Sequence, residues 1–256
     1  TLSTKPNVTM ANQTASNSLK GFGMFNDTIR DAIKGSVFEA TAKGYVNGDT
    51  SKTSTIKAAV TGSTPWSKVP SQQIVYASCH DNYTLWDEIS MSNGDDSLEL
   101  RLKQNLMSAS IVFTSQGIPF ILAGEEFLRS KPLDDGSGFD HNSYASPDSV
   151  NSMKWDTLSD AKIADMNEYY KGLIEFRKAH GGLRMTTTAE IQANLHFMDV
   201  EQANVVAYTI DNSPNGEIAE KIMVVYNGNP EAVEMTLPEG TWDICINGQK
   251  AGTEVL

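Results

Sequence analysis

The chain has 256 residues and a formal net charge of −12 at pH 7. Such a charge disfavours nucleic acid and anionic membrane surfaces as partners, and it suits a neutral substrate such as a sugar. The length accommodates one large domain or two smaller ones, and no segment has the roughly 20 apolar residues of a transmembrane helix. The two cysteines, Cys79 and Cys245, are far apart and form neither a disulfide framework nor a metal-binding pattern.

The N-terminal part of the chain is rich in polar residues and turn formers. Residues 1–20 predict a loop, residues 21–25 a short strand, and Asn26 or Asp27 begins a helix that Gly35 ends. Residues 36–70 predict a long excursion with one helical turn at 54–60, which is uncommon unless it has a function. Because the sequence begins with Thr1 and has no signal peptide, we expect a cut inside a longer chain. The sequence does not distinguish a cytoplasmic from a secreted location.

The most informative stretch is an apolar run at 73–78 that ends in the triplet His80, Asp81 and Asn82. A helix over 97–115 follows, and then a continuous apolar run at 117–124 that predicts a strand buried on both faces. Strand, helix and strand form a βαβ unit, and substrates bind at the carboxyl ends of such strands. The alternative for the triplet alone is a strand followed by an ordinary polar turn.

Polar segments and one more helix follow in the rest of the first predicted domain. Asp87 and Glu88 are predicted to be helix-start charges favoured by the helix dipole. Residues 125–158 predict a polar loop whose Asp, Asn and His side chains suit a sugar site or a calcium site, although the EF-hand ligand pattern is absent. A helix is predicted from about Asp160 to Ala179.

The composition changes after residue 182. Short alternating segments at 205–210, 221–226, 233–237 and 241–246 are separated by turn formers, which predicts an antiparallel sandwich. We therefore divide the chain into residues 1–182, of class α/β, and residues 183–256, an all-β domain that looks clipped at its far end.

A family resemblance rests on four segments, at 25–35, at 70–74 with 78–87, at 116–127, and at 142–151 with Trp155. In this order and spacing they resemble the α-amylase superfamily of glycoside hydrolases, and more closely type I pullulanases. The resemblance implies that residues 1–182 are about the last three βα units of a (β/α)8 TIM barrel. It also implies that the C-terminal β-sandwich of that family follows.

The resemblance implies a retaining glycosidase that cleaves α-1,6 bonds in pullulan, starch or glycogen-like glucans. Retaining enzymes use a nucleophile and a general acid about 5–5.5 Å apart, which the resemblance assigns to strands before this chain, so we expect the chain alone to be inactive. Asp81 then corresponds to a third, transition-state-stabilising carboxylate. No cofactor is implied, although calcium is compatible with the parent protein. The implied sugar contacts are His80, Asn82, Asn142, Tyr144 and Asp148.

Two other readings stay open. The first is another superfamily member, such as a glycogen-debranching or neopullulanase-like enzyme. The second is a non-catalytic glucan-binding module in which aromatic faces stack on sugars, the candidates being Trp66, Trp86, Tyr83 and Tyr144. For Trp155 and Trp242 we expect ordinary packing. Because a partial barrel leaves strand edges unpaired, we also expect self-association of the chain.

Overall fold

The computed structural model describes residues 11–217 and 219–256. The first ten residues of the predicted N-terminal loop therefore lie outside the described residues. Within the rest of that loop, Gln13–Ser18 forms a 3-10 helix instead, because the Asn12 side chain accepts a hydrogen bond from the Ala15 N–H and caps it.

A small parallel sheet forms where the three strands of the first half were predicted. Its strands are β1 (Met24–Phe25), β2 (Gln73–Val75) and β3 (Ile118–Pro119), in the order β1-β2-β3. The register pairs Met24 with Gln73 and Ile74 with Ile118. The strands are shorter than predicted, and they form an open sheet, so a barrel remains a prediction.

The expectation that residues 117–124 form a strand buried on both faces is wrong. Only Ile118–Pro119 is paired, and the Ile118 side chain is 43% exposed. In addition, β3 is an edge strand, because it pairs with β2 on one side and no strand within the described residues pairs with its other side.

The ends of the helices in this part of the chain follow the capping signals in the sequence. Asn26 accepts a hydrogen bond from the Ile29 N–H and begins the first helix, and Gly35, with φ of 113°, ends it. Ser97 caps the longer helix that the apolar spacing predicted. The α-helices are α1 (Asp27–Lys34), α2 (Thr53–Val60), α3 (Leu85–Ser92), α4 (Leu98–Thr114), α5 (Asp148–Asn151), α6 (Ala161–Ala179) and α7 (Thr188–Asn194).

The C-terminal part contains one antiparallel sheet. Its strands are β4 (Leu195–Phe197), β5 (Val205–Asp211) and β6 (Lys221–Asn227), with β5 in the centre. The strands predicted at 233–237 and 241–246 do not form, and an isolated bridge joins Ile246 to Ala251. These segments alternate like strands, but no strand of the described residues pairs with them, which leaves Leu237 and Ile244 at least half exposed. A second facing sheet is therefore not seen in the described part.

One apolar core joins the two predicted domains. Tyr208 on β5 donates from its hydroxyl to the Thr114 carbonyl on α4 at 3.0 Å, and Tyr226 on β6 hydrogen-bonds the Thr114 hydroxyl. The Tyr45 hydroxyl reaches the carbonyls of Asn204 and Tyr226 at 2.9 and 2.8 Å. The core residues from the two parts include Ile29, Ile33, Ile56, Val60, Ile111, Val112, Val206, Ile210 and Ile222.

The described helices include none that is both long enough and apolar enough to cross a membrane.

Candidate active site

The predicted triplet follows β2 at the carboxyl end of the parallel sheet. Asn82 adopts a left-handed backbone conformation with φ of 59°, which asparagine tolerates better than most residues. The turn presents two side chains to solvent: His80 is 84% exposed, Asp81 is 71% exposed, and His80 Nε2 lies 3.4 Å from Asp81 Oδ1. The polar groups therefore stand where parallel α/β proteins bind their substrates.

An open cavity of about 450 Å³ brings most of the predicted site residues together. His80, Asp81 and Asn82 line one side of it, and Asn142 and Tyr144 belong to a second segment of its wall. The remaining lining residues are Leu122, Arg129, Lys131, His141, Ser143 and Asn151.

Asp148, a predicted sugar contact, does not line this cavity. It is the first residue of α5 and is exposed, and its carbonyl accepts a hydrogen bond from Lys154 Nζ at 3.3 Å. The start of the helix takes Asp148 out of the loop that lines the cavity. Its role as a sugar contact therefore stays a prediction that this cavity does not include.

A second cavity of about 430 Å³ lies beside Ile118 and Pro119 of β3. Apolar side chains and the basic residues Arg177, Lys178 and Arg184 line most of it, and no carboxylate is among its lining residues. We favour the cavity at the His80–Asn82 turn as the functional one because it holds a carboxylate, imidazoles and amides that suit sugar hydroxyls.

Lys131 is the main site residue that the sequence did not indicate. Its side chain is 1% exposed, and its Nζ donates to the His80 carbonyl at 3.0 Å, the Asn82 carbonyl at 2.7 Å and the Ser143 hydroxyl at 3.1 Å. Burial lowers its pKa. A lysine in a polar loop is ordinarily solvated, so nothing in the sequence pattern marked it.

Asp87 and Glu88 lie in the first turn of α3, as predicted, but they are not exposed dipole charges. Both are fully buried. The Asp87 carboxylate accepts from the Lys131 N–H at 2.9 Å and from the Ser130 hydroxyl, while Glu88 pairs with Lys34. Burial raises the pKa of Asp87. The two carboxylates therefore bind buried partners on other elements. Their position at the start of a helix does not reveal these partners.

Glu125 is not among the residues that line the cavity, and it is 3% exposed. It accepts hydrogen bonds from the Ser78 hydroxyl at 2.6 Å and from the Tyr170 hydroxyl at 3.3 Å. Burial raises its pKa to about 7. Glu125 therefore connects Ser78, which follows β2, to Tyr170 on helix α6.

The aromatic candidates have different surroundings. Tyr144 is 89% exposed at the cavity, whereas Tyr83 contacts the His141 ring, and Trp86 lies under the Arg101 guanidinium at 5.5 Å. Trp155, expected to be packed, is 61% exposed, because its contact with Phe127 covers only part of its ring. Of the aromatic candidates, Tyr144 is therefore the one that the cavity presents to a ligand.

Across the described ranges, no group of three or more His, Cys, Asp or Glu side chains could hold a metal ion. Both cysteines are free in the structure.

Parallel strands with a polar cavity at their carboxyl ends, followed by an antiparallel sheet, define an α/β protein whose cavity lies where proteins of this class bind their substrates. Pullulanases are among its relatives. The family profile "Pullulanase, all-beta domain" matches residues 191–250. The pullulanase of Bacillus subtilis (strain 168) is 33% identical over 226 residues, which is 86% of this chain and 30% of that protein.

Solved structures agree with this assignment. The pullulanase from Bacillus acidopullulyticus is 38% identical with a TM-score of 0.86, over 92% of this chain and 28% of that one. The pullulanase from Paenibacillus barengoltzii in complex with maltohexaose and α-cyclodextrin is 38% identical with a TM-score of 0.82. The match covers 89% of this chain and 35% of that one. The predicted resemblance to pullulanases is confirmed, and the chain spans about a third or less of the length of these relatives.

Proposed function

We propose that the chain is part of a retaining glycosidase of the pullulanase type that cleaves α-1,6 bonds in branched α-glucans. The observation that carries this proposal is the cavity wall shared by the His80–Asn82 turn and the segment with Asn142 and Tyr144. The relatives support it, since the Paenibacillus barengoltzii pullulanase is complexed with maltohexaose.

Asp81 is proposed to stabilise the transition state. Glycoside hydrolysis passes through an oxocarbenium-like state, in which positive charge develops on the sugar ring. A fixed carboxylate close to that charge lowers the barrier without rearrangement at the moment of reaction. His80, whose imidazole lies 3.4 Å from the Asp81 carboxylate, is proposed to hydrogen-bond a sugar hydroxyl and to orient Asp81.

The nucleophile and the general acid are proposed to come from outside this chain. Asp81 is the one carboxylate among the described residues that line the cavity, and a retaining mechanism needs a pair of them about 5–5.5 Å apart. Glu125 is already bonded to Ser78 and Tyr170. We therefore expect the purified chain to bind α-glucan and to release no reducing sugar from pullulan.

The test is a titration of the chain with maltotetraose, followed by backbone amide chemical shifts. We expect shifts at residues 80–82 and 142–144, and no shifts with the β-linked control cellotetraose. Shifts confined to the cavity beside Ile118, or no binding by either sugar, contradict the assigned site. Pullulan hydrolysis by the purified chain that is lost in Asp81→Asn contradicts the proposed division of the catalytic residues.

A further inference from the structure

We propose that Lys131 is a positioning residue whose ammonium group fixes the two loops of the cavity wall relative to each other. This inference rests on the proposed function, because those loops are the proposed glucan-binding loops. The first loop is residues 80–82, and the second is residues 142–144.

The ammonium holds the backbone on both sides of Asp81. Nζ donates to the carbonyl of the preceding residue, His80, at 3.0 Å and to that of the following residue, Asn82, at 2.7 Å. The Asp81 side chain itself stays 71% exposed. Lys131 thus fixes the main chain of the proposed catalytic carboxylate and leaves its oxygens available to a ligand.

The third donor reaches the other loop. Nζ donates to the Ser143 hydroxyl at 3.1 Å, and Ser143 lies between Asn142 and Tyr144. An ammonium has three N–H donors, and here each has an acceptor. A neutral side chain of this length offers fewer donors, so only lysine meets all three acceptors from a single atom.

Lys131 is itself fixed by its main chain. Its N–H donates to the buried Asp87 carboxylate at 2.9 Å, and its carbonyl accepts from the Asp140 N–H at 2.8 Å. Asp140 in turn accepts from the Asn142 N–H at 2.8 Å. These hydrogen bonds therefore anchor both loops to the first turn of α3, which is part of the core.

The competing explanation is that Lys131 only stabilises the fold. Lys154 provides a matched control, because its Nζ also meets two carbonyls and one hydroxyl, those of Asp148, Ser149 and Ser152. These contacts are exposed, and Lys154 does not line the cavity. Lys131→Met and Lys154→Met each remove three donors, and they differ in burial and in whether the cavity loops lose those donors.

The first measurement needs no ligand. We expect Lys131→Met to lower the backbone amide order parameters of residues 80–83 and 142–145 towards about 0.6, from values near 0.85 for rigid backbone. Lys154→Met should leave both loops unchanged. Unchanged order parameters in either loop of Lys131→Met overturn the proposal.

The second measurement is maltotetraose affinity, compared with the midpoint of thermal unfolding. We expect Lys131→Met to weaken binding at least about tenfold, as for the loss of a hydrogen bond to a charged group, while Lys154→Met binds normally. A loss of thermal stability in Lys131→Met without a loss of maltotetraose affinity overturns the proposal. If the unchanged chain binds no maltotetraose, the proposed function fails, and the order parameters still decide the role of Lys131.

A smaller change covers the case in which Lys131→Met does not fold. Ser143→Ala removes one acceptor and leaves the contacts of Lys131 with His80 and Asn82. We expect order parameters to fall at 142–145 and to stay constant at 80–83. A variant that is rigid at 142–145 contradicts the role of Lys131 in that loop.

Discussion

Lys34 on α1 and Glu88 on α3 form an ion pair in which neither side chain has any exposed surface. The second carboxylate oxygen of Glu88 has no hydrogen-bond partner in the described structure, and burial raises the pKa of Glu88 to about 7. Two charges removed from water repay their desolvation only through each other and their hydrogen bonds. The pair therefore fixes the packing of α1 against α3. Loss of either member leaves a buried group without its partner and lowers the stability of the fold.

We predict that Lys34→Met lowers the free energy of unfolding by about 3–5 kcal/mol, because it leaves the Glu88 carboxyl buried and unpaired. Urea unfolding followed by far-UV circular dichroism measures the change. The double variant Lys34→Met/Glu88→Leu should recover most of the loss. The control is Lys171→Met, whose pair with Glu168 is exposed, and which should unfold like the unchanged chain. An equal effect of the two single variants contradicts the interpretation.

Glu125 should make stability depend on pH in a defined direction. Its pKa rises from an ordinary value of 4.5 to about 7 in the fold. A raised carboxyl pKa favours folding below pH 4.5, and this contribution disappears as the pH rises through 7. We expect the stability of Glu125→Gln, relative to the unchanged chain, to improve by about 3 kcal/mol between pH 4 and pH 8.

Urea unfolding at both pH values measures this difference. Glu126→Gln, the change at the next residue, is the matched control, because Glu126 is less buried than Glu125 and accepts from the Gly124 N–H. A Glu125→Gln variant whose relative stability is the same at pH 4 and pH 8 rules out a carboxyl with a raised pKa.

The proposed role of Asp81 predicts a particular kinetic pattern in an active pullulanase-type enzyme that includes this chain. Asp81→Asn should lower kcat much more than it raises KM, because the carboxylate acts mainly on the transition state. His80→Ala should put more of its effect on KM, since a hydroxyl contact exists in the ground state as well. Steady-state pullulan hydrolysis measures both.

Asp148→Asn in the same enzyme tests the predicted sugar contact that is exposed and lies outside the cavity wall. Unchanged kcat and KM in this variant exclude Asp148 as a sugar contact, whereas a higher KM supports that role. Near-normal kcat in Asp81→Asn contradicts the role assigned to Asp81.

The open parallel sheet predicts self-association. Ile118 on β3 and Phe25 on β1 are 43% and 42% exposed, and both strands are edges of the described sheet. Unpaired edges with apolar side chains recruit other chains, and a charge at the edge opposes this. We expect light scattering to show concentration-dependent oligomers that Ile118→Lys reduces. Val225→Lys, at a similarly exposed residue on the edge strand β6, should have a smaller effect. A monomer at all concentrations excludes this association.

Local signals predicted much of this fold. The cap at Asn26 and the terminator at Gly35 define α1, and the apolar spacing of α4 gave its ends to within one residue. The His80–Asn82 turn was found because it follows a β-branched run. Lys131 was missed because its role depends on acceptors 12 to 51 residues away, and no periodicity encodes such contacts. The failed strands at 233–246 have strand-like alternation, but pairing also needs a neighbouring strand.

The tyrosine hydroxyls that join α4 to the antiparallel sheet limit how this chain can be recombined with its relatives. Tyr208 and Tyr226 meet at Thr114, so the segment matched to the all-beta family carries only half of each contact. A graft of residues 191–250 into another backbone inherits whatever stands at the position of Thr114 there. A residue without a hydroxyl still offers its carbonyl to Tyr208, but it removes the side-chain partner of Tyr226, whose hydroxyl then keeps only its contact with Tyr208. Chimeras with a crossover before α4 keep these partners together, whereas a crossover at the apparent boundary near residue 182 separates them.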